Sequence, residues 1–99
     1  MKLRGINIFP HAIAALIENR SDLTGEYVCT LSRNAAGRDS MLVAIESRGG
    51  SDVAALSELL RRGLGVEIEV TLCPPGGTSE ATQIDMRQKP LRLIDKRGL

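Results

Sequence analysis

The sequence predicts an α+β domain, a ferredoxin-like β-α-β-β-α-β antiparallel sheet with two helices on one face, followed by a C-terminal loop and a short strand. Three observations predict it. Strand-like and helix-like stretches follow one another in that order. Residues Asn34 to Asp39 have the turn chemistry that joins two strands in a hairpin. Apolar residues recur with period two in the strand-like stretches and at spacings of three and four in the helical ones.

Arg4 to Phe9 alternates polar and apolar residues, as a short strand does. Pro10 suits the first turn of a helix, where its missing N–H costs nothing. Ile13, Leu16 and Ile17 then fall on one helical face, and the helix is expected to end between Glu18 and Arg20. Gly25 opens the next strand. In residues 25–33, Tyr27, Cys29 and Leu31 share a face; in residues 40–48, Met41, Val43 and Ile45 do. Leu42 and Ala44 on the opposite side make the latter strand a central one.

Gly49-Gly50 breaks that strand, Ser51 is the expected N-cap, and Asp52 places negative charge at the helix start. Val53, Leu56, Leu60 and Leu64 form the apolar stripe of the second helix. Gly63 and Gly65 are candidates for the left-handed residue that ends it. Residues 66–72 alternate Val, Ile, Val and Leu with Glu67, Glu69 and Thr71, and Pro74-Pro75-Gly76-Gly77 stops the strand. A polar loop runs to Lys89-Pro90 before a last short strand near Leu91 to Ile94. Long loops in small domains more often carry function than not.

With 99 residues the chain forms one domain, residues 1–99, with an aliphatic core: its aromatic rings are Phe9 and Tyr27. So few rings argue against a base-stacking surface, and a net charge of +1 argues against a field that steers the domain to nucleic acid or membrane. No apolar run nears the length of a membrane span. Cys29, Cys73 and a single histidine do not make a zinc site. Two buried thiols and no signal-peptide pattern give a cytoplasmic expectation. Arg87, Lys89, Arg92, Lys96 and Arg97 read as a solvated basic face.

The residues alone build no self-contained active site. His11 has no nucleophile beside it in sequence, no serine sits in a Gly-x-Ser-x-Gly turn, and Glu67 with Glu69 reads as a solvated sheet face.

Three segments carry a resemblance. Arg4-Gly5-Ile6-Asn7-Ile8-Phe9-Pro10, then Gly65-Val66-Glu67-Ile68-Glu69-Val70 with Pro74-Pro75-Gly76, then Arg92-Leu93-Ile94-Asp95-Lys96-Arg97 are similar to the opening, last strand and terminus of the C-terminal domain of phenylacetate–CoA ligases. The resemblance implies the mobile lid of an AMP-forming acyl-CoA ligase, inactive alone and hinged just upstream of residue 1. It implies ATP and CoA as substrates of the complete enzyme and none bound by this domain alone. An N-terminal adenylation domain, in the same or a partner chain, would hold Mg2+ and an aryl or arylacetic acid. By the same resemblance Lys89 is the catalytic lysine of acyl-adenylate formation, Gly5 lies beside the pantetheine arm, and Arg87 or Lys96 meets phosphate. Lys89 here follows Met86-Arg87-Gln88 and precedes Pro90, where the family often has Pro-Arg-Thr/Ser and then Gly-Lys. No nucleic acid or membrane partner is implied; a homodimer of the isolated domain stays open. The rival reading is a stand-alone small-molecule-binding regulatory domain of the same fold.

Overall fold

The computed structural model describes residues 2–3, 6–86 and 88–97. Strands β1 (Lys2–Leu3) and β2 (Ile6–Asn7) pair antiparallel in a ladder of their own. Ile8 then turns into the core, and Pro10 precedes helix α1 (His11–Ile17), which buries Ile13 and Ile17. The Tyr27 hydroxyl donates to the Pro10 carbonyl at 2.9 Å and fixes where this helix begins.

Strands β3 (Leu23–Arg33) and β4 (Asp39–Ser47) form the expected hairpin, with Cys29 opposite Val43 and Leu31 opposite Met41. Asn34 Oδ1 accepts from the Ala36 and Arg38 amides at 3.0 and 2.9 Å, closing the turn. The first strand begins two residues before Gly25. That glycine, at φ +93°, lies where the register shifts between Leu23 and Tyr27.

Helix α2 (Val53–Leu64) follows, and its cap is Asp52 rather than Ser51. Asp52 Oδ1 accepts from the Ala54 and Ala55 amides at 2.9 and 3.3 Å. Ser51 instead donates to Asp22 at 2.7 Å and meets the Ser47 hydroxyl at 2.6 Å. Gly65, at φ +79°, ends the helix. Gly63 stays helical and serves packing: a Cβ there would lie 2.5 Å from Leu16 Cδ1, so its absence lets the two helices close on each other.

After β5 (Glu69–Cys73) comes a short helix α3 (Ser79–Thr82) and finally β6 (Leu93–Asp95). The α+β class, the four-stranded sheet and the shared face for α1 and α2 agree with the sequence reading. The pairing differs. The sheet order is β5-β4-β3-β6, with β3–β4 antiparallel but β4–β5 and β3–β6 parallel. The sheet is thus mixed, not the all-antiparallel ferredoxin-like one.

Two causes account for this. The chain from β4 through α2 returns to the lane directly beside β4, and a helical crossover of that kind makes neighbours parallel. The outer lane of β3 is held by β6, the last short strand of the chain. There the Cys29 amide donates to the Arg92 carbonyl and the Lys96 amide to the Leu31 carbonyl, both at 2.8 Å. Ile6–Asn7, from the expected first strand, pairs instead with Lys2–Leu3, apart from the four-stranded sheet.

One core joins the helices to the sheet. Ile13, Ile17, Leu56 and Leu60 meet Tyr27, Cys29, Leu31, Met41, Val43 and Ile45 there. Burying one such aliphatic side chain stabilises by about 1.5–3 kcal/mol. The opposite sheet face is roofed in part by residues 74–82, where Thr78 and Thr82 are 2% and 1% exposed and Val28 of β3 is buried.

Candidate functional site

The segment that carries Lys89 is tied at both ends. Its entrance starts at Pro74-Pro75-Gly76-Gly77. The Gly77 amide donates to the Pro74 carbonyl at 2.8 Å, and Gly76 has φ +85°, so the four residues make a tight turn that needs a glycine third. Gly77 is required for a different reason: a Cβ there would lie 2.8 Å from Cys73 Cβ and 2.9 Å from the Pro74 carbonyl.

Glu46, at the outward-facing end of β4, receives this turn. Its Oε1 accepts from the Gly76 amide at 2.8 Å and the Thr24 hydroxyl at 3.1 Å. Its Oε2 accepts from the Thr78 amide at 3.0 Å and the Thr78 hydroxyl at 2.5 Å. The side chain is 3% exposed. Burial pushes its pKa up, but the bonds from Thr78, Gly76 and Thr24 prevail and hold it below the usual carboxylate value.

From Thr78 the bonds continue. The Thr82 amide and hydroxyl donate to the Thr78 carbonyl at 2.9 and 3.0 Å, and the Leu91 amide donates to the Thr82 carbonyl at 2.8 Å. Gln83 takes a left-handed conformation, φ 55°, and ends α3. Residues 83–90 therefore leave and return at one point. Lys89 lies in an exposed bend of that excursion.

The exit is fixed by Arg92. Its guanidinium donates to the Tyr27 carbonyl at 2.8 Å and to Glu26 Oε2 at 2.6 Å, with Cζ 4.7 Å from the Tyr27 ring centre. Further on, Arg97 pairs with Asp39 at 3.0 Å and Asp95 at 2.8 Å, and Arg33 joins Asp39 at 3.1 Å. The bond and charge of Arg97 hold Asp95 down to about 2. The expectation of a solvated basic face is thus corrected for Arg92 and Arg97, whose side chains are 23% exposed and bound to carboxylates. Lys96 is exposed.

Gly5 and Arg87, named from the resemblance, lie outside the described residues. His11 is exposed beside Phe9, with ring centres 5.8 Å apart. Cys29 is buried in the core, and burial pushes its thiol up to about 12; Cys73 is half-buried and raised by burial and by the charge of Glu46. Glu67 is exposed before β5, and Glu69 is exposed on it. Among the described residues no three His, Cys, Asp or Glu side chains converge as a metal site, and no helix is long and apolar enough to cross a membrane. A hollow of about 270 Å³ over Ser40, Met41, Glu67, Ile68 and Glu69 is smaller than most closed ligand pockets.

Sequence reasoning missed Glu46. The available signal was a carboxylate at the end of a central strand whose neighbours on that face, Leu42 and Ala44, are apolar.

These features define a class: a small α+β domain that presents a tethered, lysine-bearing loop. The chain belongs to the AMP-binding enzyme C-terminal domain family, whose pattern matches residues 5–97. It is similar in fold to the crystallised domain of phenylacetate-coenzyme A ligase from Bacteroides vulgatus ATCC 8482, with 24% identity over 98% of this chain and 92% of that one, and a TM-score of 0.78. It is also similar to a 2-hydroxyisobutyryl-CoA ligase in complex with 2-HIB-AMP and CoA in the thioesterification state, with 27% identity and a TM-score of 0.79. That match covers 98% of this chain and 21% of the ligase chain. The same ligase in the postadenylation state, in complex with R3-HIB-AMP, matches with 25% identity over 99% of this chain and 22% of that one, and a TM-score of 0.73. The chain therefore spans about a fifth of the 2-hydroxyisobutyryl-CoA ligase. No curated protein matches it significantly.

Proposed function

We propose that this chain is the mobile C-terminal domain of an AMP-forming acyl-CoA ligase of the phenylacetate–CoA ligase type, and that Lys89 serves its adenylation step. The observation that carries the reading is the family match over residues 5–97. An exposed lysine on a loop fixed at both ends agrees with it.

In the first half-reaction a carboxylate oxygen of the acid attacks the α-phosphorus of ATP, and pyrophosphate leaves with the electron pair of the broken P–O bond. Negative charge gathers on the α-phosphate oxygens and on the attacking carboxylate. An ammonium on a four-carbon stem bridges both, and closure over the nucleotide excludes water and strengthens the contact. In the second half-reaction the CoA sulfur attacks the acyl carbon, its proton is lost, and AMP leaves. The domain turns between the two, withdrawing Lys89 and bringing the segment around Gly5 toward the pantetheine arm. Arg87 is assigned to a phosphate contact in the first arrangement.

ATP, CoA and the acid bind mainly to an N-terminal adenylation domain, which also holds the Mg2+. The acid is assigned to the aryl or arylacetic class from the resemblance. Its choice lies outside this domain, since one fold with similar scores serves ligases named for phenylacetate and for 2-hydroxyisobutyrate.

The test is Lys89→Ala in the complete ligase. Pyrophosphate release is expected to slow by about 10²–10³-fold, the usual effect of removing one transition-state charge partner. Thioester formation from preformed acyl-adenylate is expected to stay near the wild-type rate. An unchanged adenylation rate would sink the role given to Lys89.

A further inference from the structure

We propose that Glu46 is a positioning residue for Lys89: it fixes the loop that presents the lysine, although it lies 43 residues earlier in the chain. The inference rests on the reading of Lys89 given above and adds to it a residue that the three resembling segments do not contain.

The bonds are continuous. Glu46 Oε2 accepts from Thr78, the Thr78 carbonyl accepts from Thr82, and the Thr82 carbonyl accepts from Leu91, two residues past Lys89. Glu46, Thr78 and Thr82 are 3%, 2% and 1% exposed. Bonds among groups so deeply buried do not exchange readily with water, and each donor left unpaired there is costly. An ionised carboxylate suits the post. It offers only acceptors, and the four groups aimed at it, from Thr24, Gly76 and Thr78, are all donors.

Leu42 and Ala44 on the same face of β4 are apolar, and a side chain of that kind at position 46 would leave the donors of Gly76 and Thr78 unpaired. What the carboxylate adds is direction. It sets the height of the Pro74–Gly77 turn above the sheet and the start of α3, and so the point where residues 83–90 leave and return. A shift of an ångström at Leu91 carries to Lys89, and displacement of that size costs a reacting group heavily.

Glu46→Gln tests this, because it keeps the shape but turns an N–H pair toward groups that already donate. In the chain of residues 1–99, amide exchange is expected to rise about tenfold or more at Thr78, Thr82 and Leu91, with Val43 and Leu60 unchanged. Exchange at Thr82 and Leu91 as slow as in the wild type overturns the assignment. So does an increase shared equally by Val43 and Leu60, which marks general destabilisation. If Glu46→Gln does not fold, Thr78→Val, which deletes only the hydroxyl bond, is read by the same criteria. Thr78→Ser is expected to restore wild-type exchange.

In the complete ligase Glu46→Gln is expected to slow adenylation about tenfold and to leave thioester formation from acyl-adenylate within about twofold. Equal slowing of both half-reactions overturns the positioning role. Lys89→Ala measured alongside separates the two claims. Normal adenylation in that variant removes the lysine reading, while the exchange result still decides whether Glu46 sets the loop.

Discussion

Replacing Arg92 with alanine removes three contacts at once. The guanidinium bond to the Tyr27 carbonyl, at 2.8 Å, is a charged bond to a strand backbone and contributes about 1.5 kcal/mol. The pair with Glu26 is short, at 2.6 Å, but the two side chains are 23% and 30% exposed, so solvent screening limits it to about 0.5–1 kcal/mol. The position over the Tyr27 ring, at 4.7 Å, adds about 0.5–1 kcal/mol. The loss is therefore about 3 kcal/mol, a fall in Tm of about 12–24 °C for a domain of this size. Arg92→Lys keeps the charge but not the planar fork, and is expected to lose about 1–2 kcal/mol. Urea unfolding at neutral pH measures these values. A second readout is local. The Cys29 amide donates to the Arg92 carbonyl, and its thiol is buried and pushed up to about 12. Loosening β6 exposes that thiol to a modifying reagent, so labelling under native conditions is expected to speed up by about tenfold or more. If Arg92→Ala unfolds within about 0.5 kcal/mol of the wild type and Cys29 labels at an unchanged rate, Arg92 does not tether β6.

Gly77→Ala is expected to destabilise by about 1–3 kcal/mol in urea titration, because the new methyl meets Cys73 and the backbone carbonyl of Pro74. Asp52→Ala, which removes the cap of α2, is expected to cost about 1 kcal/mol, and Asp52→Asn to recover most of it; no change would return the cap to Ser51. The pH dependence follows from Glu46. Its folded value is lowered from 4.5, so the unfolded chain takes up that proton first as pH falls. Its contribution is complete above the unfolded value and is lost as pH drops through the folded one. Unfolding midpoints from neutral to acid pH are expected to fall more steeply for the wild type than for Glu46→Gln. Asp39 and Asp95, also lowered, act equally in both proteins and cancel in the comparison.

What was legible in the sequence is what depends on neighbours in sequence. The stripe Leu56–Leu60, the alternation of Met41, Val43 and Ile45, and the Asn34 turn each show their period within a few residues. Strand pairing is different, because it depends on which segment wins a lane. Arg4–Phe9 and Leu91–Ile94 both read as short strands, and the second joins β3 through the Cys29 and Lys96 amide bonds and the tether of Arg92 to Tyr27 and Glu26, 65 and 66 residues away. The cap was misread by one residue because Ser51 and Asp52 are both good caps, and Ser51 is drawn away by Asp22. Lys89 as a candidate came from the resemblance alone; its own neighbours give a solvated loop lysine. Glu46 showed only as a carboxylate on an otherwise apolar strand face; its role stayed hidden because its donors, Gly76 and Thr78, are 30 and 32 residues away.

The bond between Leu91 and Thr82 makes residues 83–90 a detachable module. Between its two fixed ends Gln83, Asp85, Met86, Gln88 and Lys89 are exposed. Doubling the length of a flexible loop costs only about 0.6 kcal/mol in closure entropy. Insertions, deletions and wholesale replacement in this stretch are thus tolerated while the scaffold stays the same. Natural variation, or a designer, can alter the reach and surroundings of the lysine without having to refold the domain that carries it.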